Sequence, residues 1–240
     1  MNEKILVTIS NYNHSHFLSN SIKSIINQTY KNLDICVIDD MSNDQEKVSK
    51  IVNSFKDSRI RYIKNNKNMG KWWCLNKSIK TTDAIICTSH DADDVSLPDR
   101  IEKQYLTLKK TNTIHNLCSF YHCYNEKDLK EYVFNHDLKE NISIVETNKV
   151  FELVMSGYFS PNINHYFTGN LETAGTSAMF YKQVWDLGIR FNPPKRNLRV
   201  LLSEDSDFNF RCTSLLRNTS ILTNKLYCYR RNTSTNKEEI

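Results

Sequence analysis

Apolar and polar positions alternate along the first hundred residues in blocks. Ile5-Leu6-Val7-Thr8-Ile9 is a short β-rich apolar run of the kind found in strands buried on both faces. Phe17, Leu18, Ile22, Ile25 and Ile26 then recur at helical spacing. Ile35-Cys36-Val37-Ile38 predicts a second buried strand, and Val48, Ile51, Val52 and Phe55 a second helix. Ile60–Ile63 predicts a third strand, 71–80 a third helix, and Ala84-Ile85-Ile86-Cys87-Thr88 a fourth strand. Ser96-Leu97-Pro98-Asp99 reads as a helix start, with Ser96 as cap and the proline in the first turn.

Strand–helix alternation of this kind predicts an α/β domain with a mostly parallel central sheet flanked by helices. In such sheets ligands bind outside the carboxyl ends of the strands. Polar clusters fall at those ends repeatedly: Ser10–Asn13, Asp39-Asp40, Asn65–Gly70 and Asp91–Asp94. The second half is less regular. Strands are expected at 117–124, 176–181 and 221–229, and helices at 149–156 and from Ser203 to Leu216. A polar excursion is expected over 125–148. There is no repeat and no Gly/Ser linker, so a single domain is expected.

Composition narrows the classes. Of 240 residues, 39% are hydrophobic and 25% charged, enough to bury a real core. The excess of 32 basic over 27 acidic residues leaves a net +5, mild and without the dense basic stripe of a nucleic-acid binder. No signal peptide precedes Ile5, and no stretch approaches a membrane span. A cytoplasmic protein without a transmembrane segment is expected, with peripheral membrane contact left open. The seven cysteines are odd in number and scattered, which fits reduced thiols and not a zinc site. Glycines are few, and asparagine can take their place in turns.

Asp91-Ala92-Asp93-Asp94 is the sharpest chemical signal. Alternate acids at a strand end can aim two carboxylates at one hard cation, completed by phosphate oxygens. A solvated acidic turn before a helix gives the same pattern. A calcium loop fits less well, since Val95 and Ser96 stand where an oxygen ligand and a glycine belong. Asp39-Asp40 can accept from a base N–H or a ribose hydroxyl, or simply form a turn with Ser42-Asn43-Asp44. Asn68-Met69-Gly70-Lys71 begins a helix whose N–H groups and lysine can meet phosphate. It matches neither a dinucleotide fingerprint nor a P-loop. Glu204-Asp205 opens the late helix. Asp205 shares a stripe with Phe208 and Cys212, so it faces inward and can serve as a general base, or it can complement the helix dipole behind Ser203. His14, His16 and His90 read as surface or loop residues, and Trp72-Trp73 as core and rim packing.

Taken in order and spacing, these segments resemble the GT-A-fold glycosyltransferases of family 2. Val7–Asn13 resembles that family's first strand and nucleotide loop. Ser24–Tyr30 with Asp34–Asp44 is similar to its most recognisable segment. Asn68–Lys71 with Leu75-Asn76 resembles its Asn-x-Gly stretch, and Asp91–Asp94 with Leu97–Arg100 its Asp-x-Asp motif and following helix. Gly175–Phe180, Ser203-Glu204-Asp205 and Tyr229-Arg230-Arg231 resemble its acceptor strand, base motif and closing strand.

The resemblance implies one GT-A catalytic domain over 1–240, with 1–100 binding nucleotide and 101–240 binding acceptor. It implies an inverting, hexosyltransferase-type enzyme moving a sugar from a nucleotide-diphosphate sugar, UDP-linked, to a hydroxyl of a glycan, lipid-linked or protein acceptor. Tyr12 and Asp40 would hold the base, with Ser10, Asn68, Gly70, Lys71 and Asp91 also on the nucleotide. Asp93, assisted by Asp91, would bind Mn²⁺ or Mg²⁺. Asp205 would be the general base, with Glu204 and Thr176 on the acceptor side. Many relatives carry a histidine just after the closing Tyr-Arg, able to join the metal, where this chain has Arg231-Asn232. The chain ends at Ile240 and is expected to be a bare catalytic unit or one piece of a larger assembly. The competing expectations are a non-catalytic nucleotide-binding scaffold that keeps the fold, and a nucleotidyltransferase or phosphohydrolase built on similar acids.

Overall fold

The computed structural model describes residues 3–145, 173, 175–194 and 203–231. Its strands are β1 (Ile5–Asn11), β2 (Leu33–Asp39), β3 (Ile60–Lys64), β4 (Ile86–Asp91), β5 (Val95–Ser96), β6 (His115–Cys123), β7 (Ile144–Val145), β8 (Met179–Tyr181) and β9 (Thr219–Arg230). Its helices are α1 (Ser15–Ile26), α2 (Gln45–Ser54), α3 (Lys71–Lys80), α4 (Arg100–Thr111), α5 (Glu126–Phe134), α6 (Lys182–Asp186) and α7 (Glu204–Leu216). The strands form one sheet in the order β3-β2-β1-β4-β8-β6-β9-β5, with β7 paired to β9.

The apolar runs become strands because both faces of the sheet are covered. Ile5, Val7 and Ile9 of β1 join Ile35 and Val37 of β2 under Leu18, Ile22, Val48, Val52, Ile101 and Tyr105. The alternate residues Leu6, Cys36 and Ile38 face the other layer, among Cys74, Leu75, Ile79, Val184, Phe208 and Cys212. One run thus supplies two cores through its period of two. Each fully buried Leu, Ile or Val side chain contributes about 1.5–3 kcal/mol.

β1 pairs in parallel with both β2 and β4, in register Ile5↔Leu33 and Ile5↔Ile86. The chain runs outward from β1 to β2 to β3, then crosses back to β4 on the opposite side of β1. The switch point therefore lies at the carboxyl ends of β1 and β4, where a crevice opens in such sheets. Beyond β4 the sheet is mixed. β8 is antiparallel to β4 and to β6, and β6 runs parallel to β9 with register shifts around Ser119.

Several sequence expectations are corrected. The fourth strand runs two residues late, from Ile86 to Asp91, and its His90 is fully buried, not a surface or loop residue. Ser96 is no helix cap: it pairs with Tyr227 in β5. The helix waits until Arg100, where the Gln28 side chain accepts from Ile101 N (3.0 Å) and donates to Leu97 O (2.7 Å). That cap comes from 73 residues away and has no local signature. Residues 125–148 hold α5, whose Asn125 cap accepts from Lys127 N and Asp128 N. Only Leu129 of α5 is buried, so no apolar stripe announces it. Gly175–Ser177 is a 3₁₀ turn, and the strand proper begins at Met179. The helix expected at 149–156 lies outside the described residues. All seven cysteines are buried free thiols. Among the described residues no helix is long and apolar enough to cross a membrane.

Candidate active site

The first wall of the crevice is knit from the loops after β1 and β2. Asn11 Nδ2 donates to Asp39 Oδ1 (2.9 Å) and Ser42 Oγ (3.0 Å), and Asn13 N donates to Ser42 Oγ (2.9 Å). Ser10 is half-buried at the end of β1, and Tyr12 leaves its ring at the rim, 41% exposed. Asp40 is buried and fastens the next loop: it accepts from Asn65 Nδ2 (2.7 Å), Met69 N (2.9 Å) and Gly70 N (2.7 Å). The amides ahead of α3, expected to be free for phosphate, are therefore engaged by Asp40. Asn68 is exposed, and its Oδ1 also accepts from Gly70 N at 3.2 Å. Gly70 sits at φ +85, where a side chain is strained, and an added Cβ would come within 3.0 Å of the Trp72 ring.

The acids after β4 separate by environment. Asp91 and Asp93 are partly exposed and Asp94 is buried. Asp94 Oδ1 accepts from Arg230 N (2.8 Å), and the Arg230 guanidinium donates to Asp93 O (2.7 Å) and pairs with Glu126. Burial, reinforced by Asp91 and Asp93, holds the Asp94 carboxyl well above the usual carboxylate range. The Tyr227 hydroxyl accepts from Asp91 N at 3.1 Å. His14 Nδ1 lies 3.3 Å from Asp93 Oδ2, and its hydrogen bond to Asp93 raises the imidazole above its ordinary pKa against the effect of burial.

Lys71 joins the halves. Its Nζ lies 2.6 Å from Asp91 Oδ1, 2.9 Å from Asp205 Oδ2 and 3.1 Å from Thr176 Oγ1. Burial pulls this ammonium's pKa down, but Asp205, Asp91 and Glu204 outweigh it and hold the pKa well above its ordinary range. Asp205 sits in the first turn of α7 behind Ser203, whose hydroxyl accepts from Ser206 N. Burial lifts its carboxyl to about 6, with Lys71 pulling down and Glu204 and Asp91 pushing up. Gly175 lets the Gly175–Ser177 turn approach, since an added Cβ there would stand 3.4 Å from Asp205 Cβ. Asn209 Nδ2 ties Gly175 O to α7 (2.9 Å), and Ser89 Oγ ties Thr176 O to β4 (2.6 Å).

The fold thus brings Asp91, Lys71, Thr176, Glu204 and Asp205 to one spot, with Asp93 on the same turn as Asp91. Ser10, Tyr12, Asp40, Asn68 and Gly70 line the same sheet edge. Sequence reasoning missed Ser89, Asn209, Tyr227 and the His14–Asp93 contact. Ser89 lies just past the strand expected at 84–88, Asn209 and Tyr227 lie inside an expected helix and strand with no local mark of a site role, and His14 is one histidine among several in loops. A separate cavity of about 780 Å³, between α1 and α5, is walled by Val95, Pro98, Leu129 and Phe134 and holds none of these acids.

The donor set at Asp91 and Asp93 is all carboxylate oxygen, which suits a hard divalent cation. Among the described residues no three His, Cys, Asp or Glu side chains converge as a closed metal cage. Where relatives place a late histidine, Arg231 instead donates to His122 Nδ1 (2.8 Å), and Asn232 lies outside the described residues.

The model for "Glycosyl transferase family 2" matches residues 6–188. An uncharacterized glycosyltransferase of Methanocaldococcus jannaschii is 29% identical over 166 residues, covering 62% of this chain and 57% of that protein. The Escherichia coli UDP-Glc:alpha-D-GlcNAc-diphosphoundecaprenol beta-1,3-glucosyltransferase WfgD is 31% identical over 108 residues, covering 45% of this chain and 42% of that protein. The chain thus spans little more than half the length of these relatives, or less. In structure it is similar to S. aureus TarS 1-349 in complex with UDP, with TM-score 0.65 at 14% identity over 95% of this chain and 60% of that one. It is also similar to the mannosyltransferase PcManGT from Pyrobaculum calidifontis in complex with GDP-Man and Mn²⁺, with TM-score 0.58 at 15% identity over 94% and 55%. The GT-A fold expected from the sequence is the fold observed.

Proposed function

We propose, since the chain belongs to glycosyl transferase family 2, that it moves a hexosyl group from a UDP-linked sugar to an acceptor hydroxyl with inversion. The observation that carries this reading is the meeting of Asp91 and Asp205 around one ammonium, at the edge of the sheet where Tyr12 and Asp40 also lie. Neighbours of the same fold hold UDP or GDP-Man, which supports a nucleotide-sugar donor.

Tyr12 and Asp40 border the base, and Ser10, Asn68, Gly70 and Asp91 the rest of the nucleotide. Asp93 and Asp91 would hold Mn²⁺ or Mg²⁺, which when bound supplies Lewis-acid stabilisation of the departing diphosphate. Asp205, with a carboxyl raised to about 6, is ionised at neutral pH and more basic than an ordinary aspartate. It takes the acceptor hydroxyl's proton as that oxygen bonds to the anomeric carbon. The bond from that carbon to the diphosphate oxygen breaks on the opposite face, and the nucleoside diphosphate leaves with the electron pair. Glu204 and Thr176 border the acceptor.

The test is incubation with a panel of nucleotide sugars, with and without Mn²⁺, followed by product analysis. Release of a nucleoside diphosphate with one class of donor is expected. Release of pyrophosphate or a nucleoside monophosphate instead would overturn the reading in favour of nucleotidyl transfer or phosphohydrolysis.

A further inference from the structure

The resemblance sets Lys71 beside the nucleotide; its contacts say something different. All three ammonium protons have an oxygen within 3.1 Å, two of them carboxylate oxygens. One partner, Asp91, ends β4. The other two, Thr176 and Asp205, come from segments 105 and 134 residues away, on the far side of the sheet's switch point. The segments carrying them are otherwise joined by neutral bonds: Ser89 Oγ to Thr176 O, and Asn209 Nδ2 to Gly175 O.

Among the described residues little else holds Asp205. Among the described residues its Oδ1 is buried without a hydrogen-bond partner, and its Oδ2 meets Lys71. The side chain is 14% exposed, so water does little to orient it. Lys71 itself is fixed from behind, since it occupies the first turn of α3 directly after Gly70, whose N–H is bound by Asp40. The chain of contacts runs from β2 through Asp40 and Gly70 to Lys71, and from there to Asp205.

We propose that Lys71 is a positioning residue for Asp205: its ammonium, held between Asp91 and Thr176, fixes the direction in which the Asp205 carboxylate presents its free Oδ1. This role rests on the proposed transferase function, in which Asp205 is the base. Charge-assisted bonds of this kind are short and directional. Misplacing a reacting group by an ångström costs about a hundredfold in rate.

The test compares Lys71→Met, Lys71→Arg and Thr176→Val with wild type, measuring donor binding by calorimetry with UDP-sugar and Mn²⁺, and transfer at saturating donor. Lys71→Met is expected to lower kcat by about a hundredfold with the donor Kd unchanged. Lys71→Arg, which can still bridge two carboxylates, is expected to recover part of that loss. Thr176→Val, which keeps the charge and removes one bond, is expected to show a smaller fall in kcat at the same donor Kd. A weakened donor Kd with kcat preserved at saturation would overturn the proposal and make Lys71 a nucleotide ligand. If Lys71→Met does not fold, Thr176→Val and Lys71→Arg decide: kcat at the wild-type level in both overturns it. If wild type transfers from no donor, the transferase reading fails by itself. The bridge is then judged by thermal unfolding of Lys71→Met, Asp205→Asn and the double variant: Tm losses smaller than additive support it, and additive losses refute it.

Discussion

The two halves of the sheet are built on different chemistry. Of the twelve buried side chains in β1 and β2, nine are apolar, and they feed the two hydrophobic cores on either face of the sheet. In β6 and β9 seven of the fifteen buried side chains are polar. Asn116 accepts from Gln104 (3.1 Å) and donates to Ser220 Oγ (3.0 Å), while His115 contacts Thr219 (3.0 Å) and Asn209 (3.1 Å). Burial drives the His115 imidazole down to about 4, so it is neutral and purely a bonding element. An apolar strand is specified by burial, which is non-directional. A buried polar network is specified by bond geometry, and each member needs its partners. The first half therefore supplies a floor packed on both faces, and the second orients α7 and the Gly175–Ser177 turn that carry Asp205 and Thr176.

The largest expected effect breaks the second half alone. Asp205→Asn should lower kcat by about 10²–10⁴-fold, the range for a lost general base, while the donor Kd measured by calorimetry stays at its wild-type value. If the rate is unchanged, Asp205 is not the base.

Stability measurements sharpen the contrast between the two cores. Ile35→Ala in β2 leaves a cavity and should cost about 2–5 kcal/mol in denaturant unfolding. Asn116→Ala in β6 strands Gln104 and Ser220 and should cost about 1–3 kcal/mol. The contrast fails if Asn116→Leu, which fills the space without restoring the bonds, proves as stable as wild type.

Asp40→Asn tests the floor's loops. An amide can accept at one position only and would set its NH₂ against the N–H of Met69 or Gly70. A loss of about 1–3 kcal/mol, together with a weaker donor Kd, is expected. Unchanged stability would mean that the loop before α3 holds itself.

The smallest effect is on pH dependence. A base titrating near 6 must be deprotonated to act, so kcat should fall as pH drops through that value. At pH 5 about a tenth of the plateau rate is expected for a single such group. An acid limb near pH 4 would mean that Asp205 titrates like an exposed carboxylate.

The same contrast explains what could be read from the chain. β1, β2 and the Asp91–Asp94 turn were legible because a continuous apolar run ending in polar or acidic residues is a local signal. α5, with Leu129 as its one buried residue, and the delayed start of α4, capped by the Gln28 side chain, were not. Ser89, Asn209 and Tyr227 were invisible as site residues, since each looks like an ordinary polar or aromatic position until the chain folds around it.

By itself the sequence determined the layering, the parallel run of the first strands and the presence of polar and acidic clusters at their carboxyl ends, because hydrophobic periodicity and strand termini are local properties. Only the tertiary structure decided which acids share a site. It buried Asp94, spent Asp40 on the loop before α3, and brought Asp91 and Asp205 within reach of Lys71. Electrostatic partnership depends on distance in space, and that distance is set by how the two halves pack across the switch point.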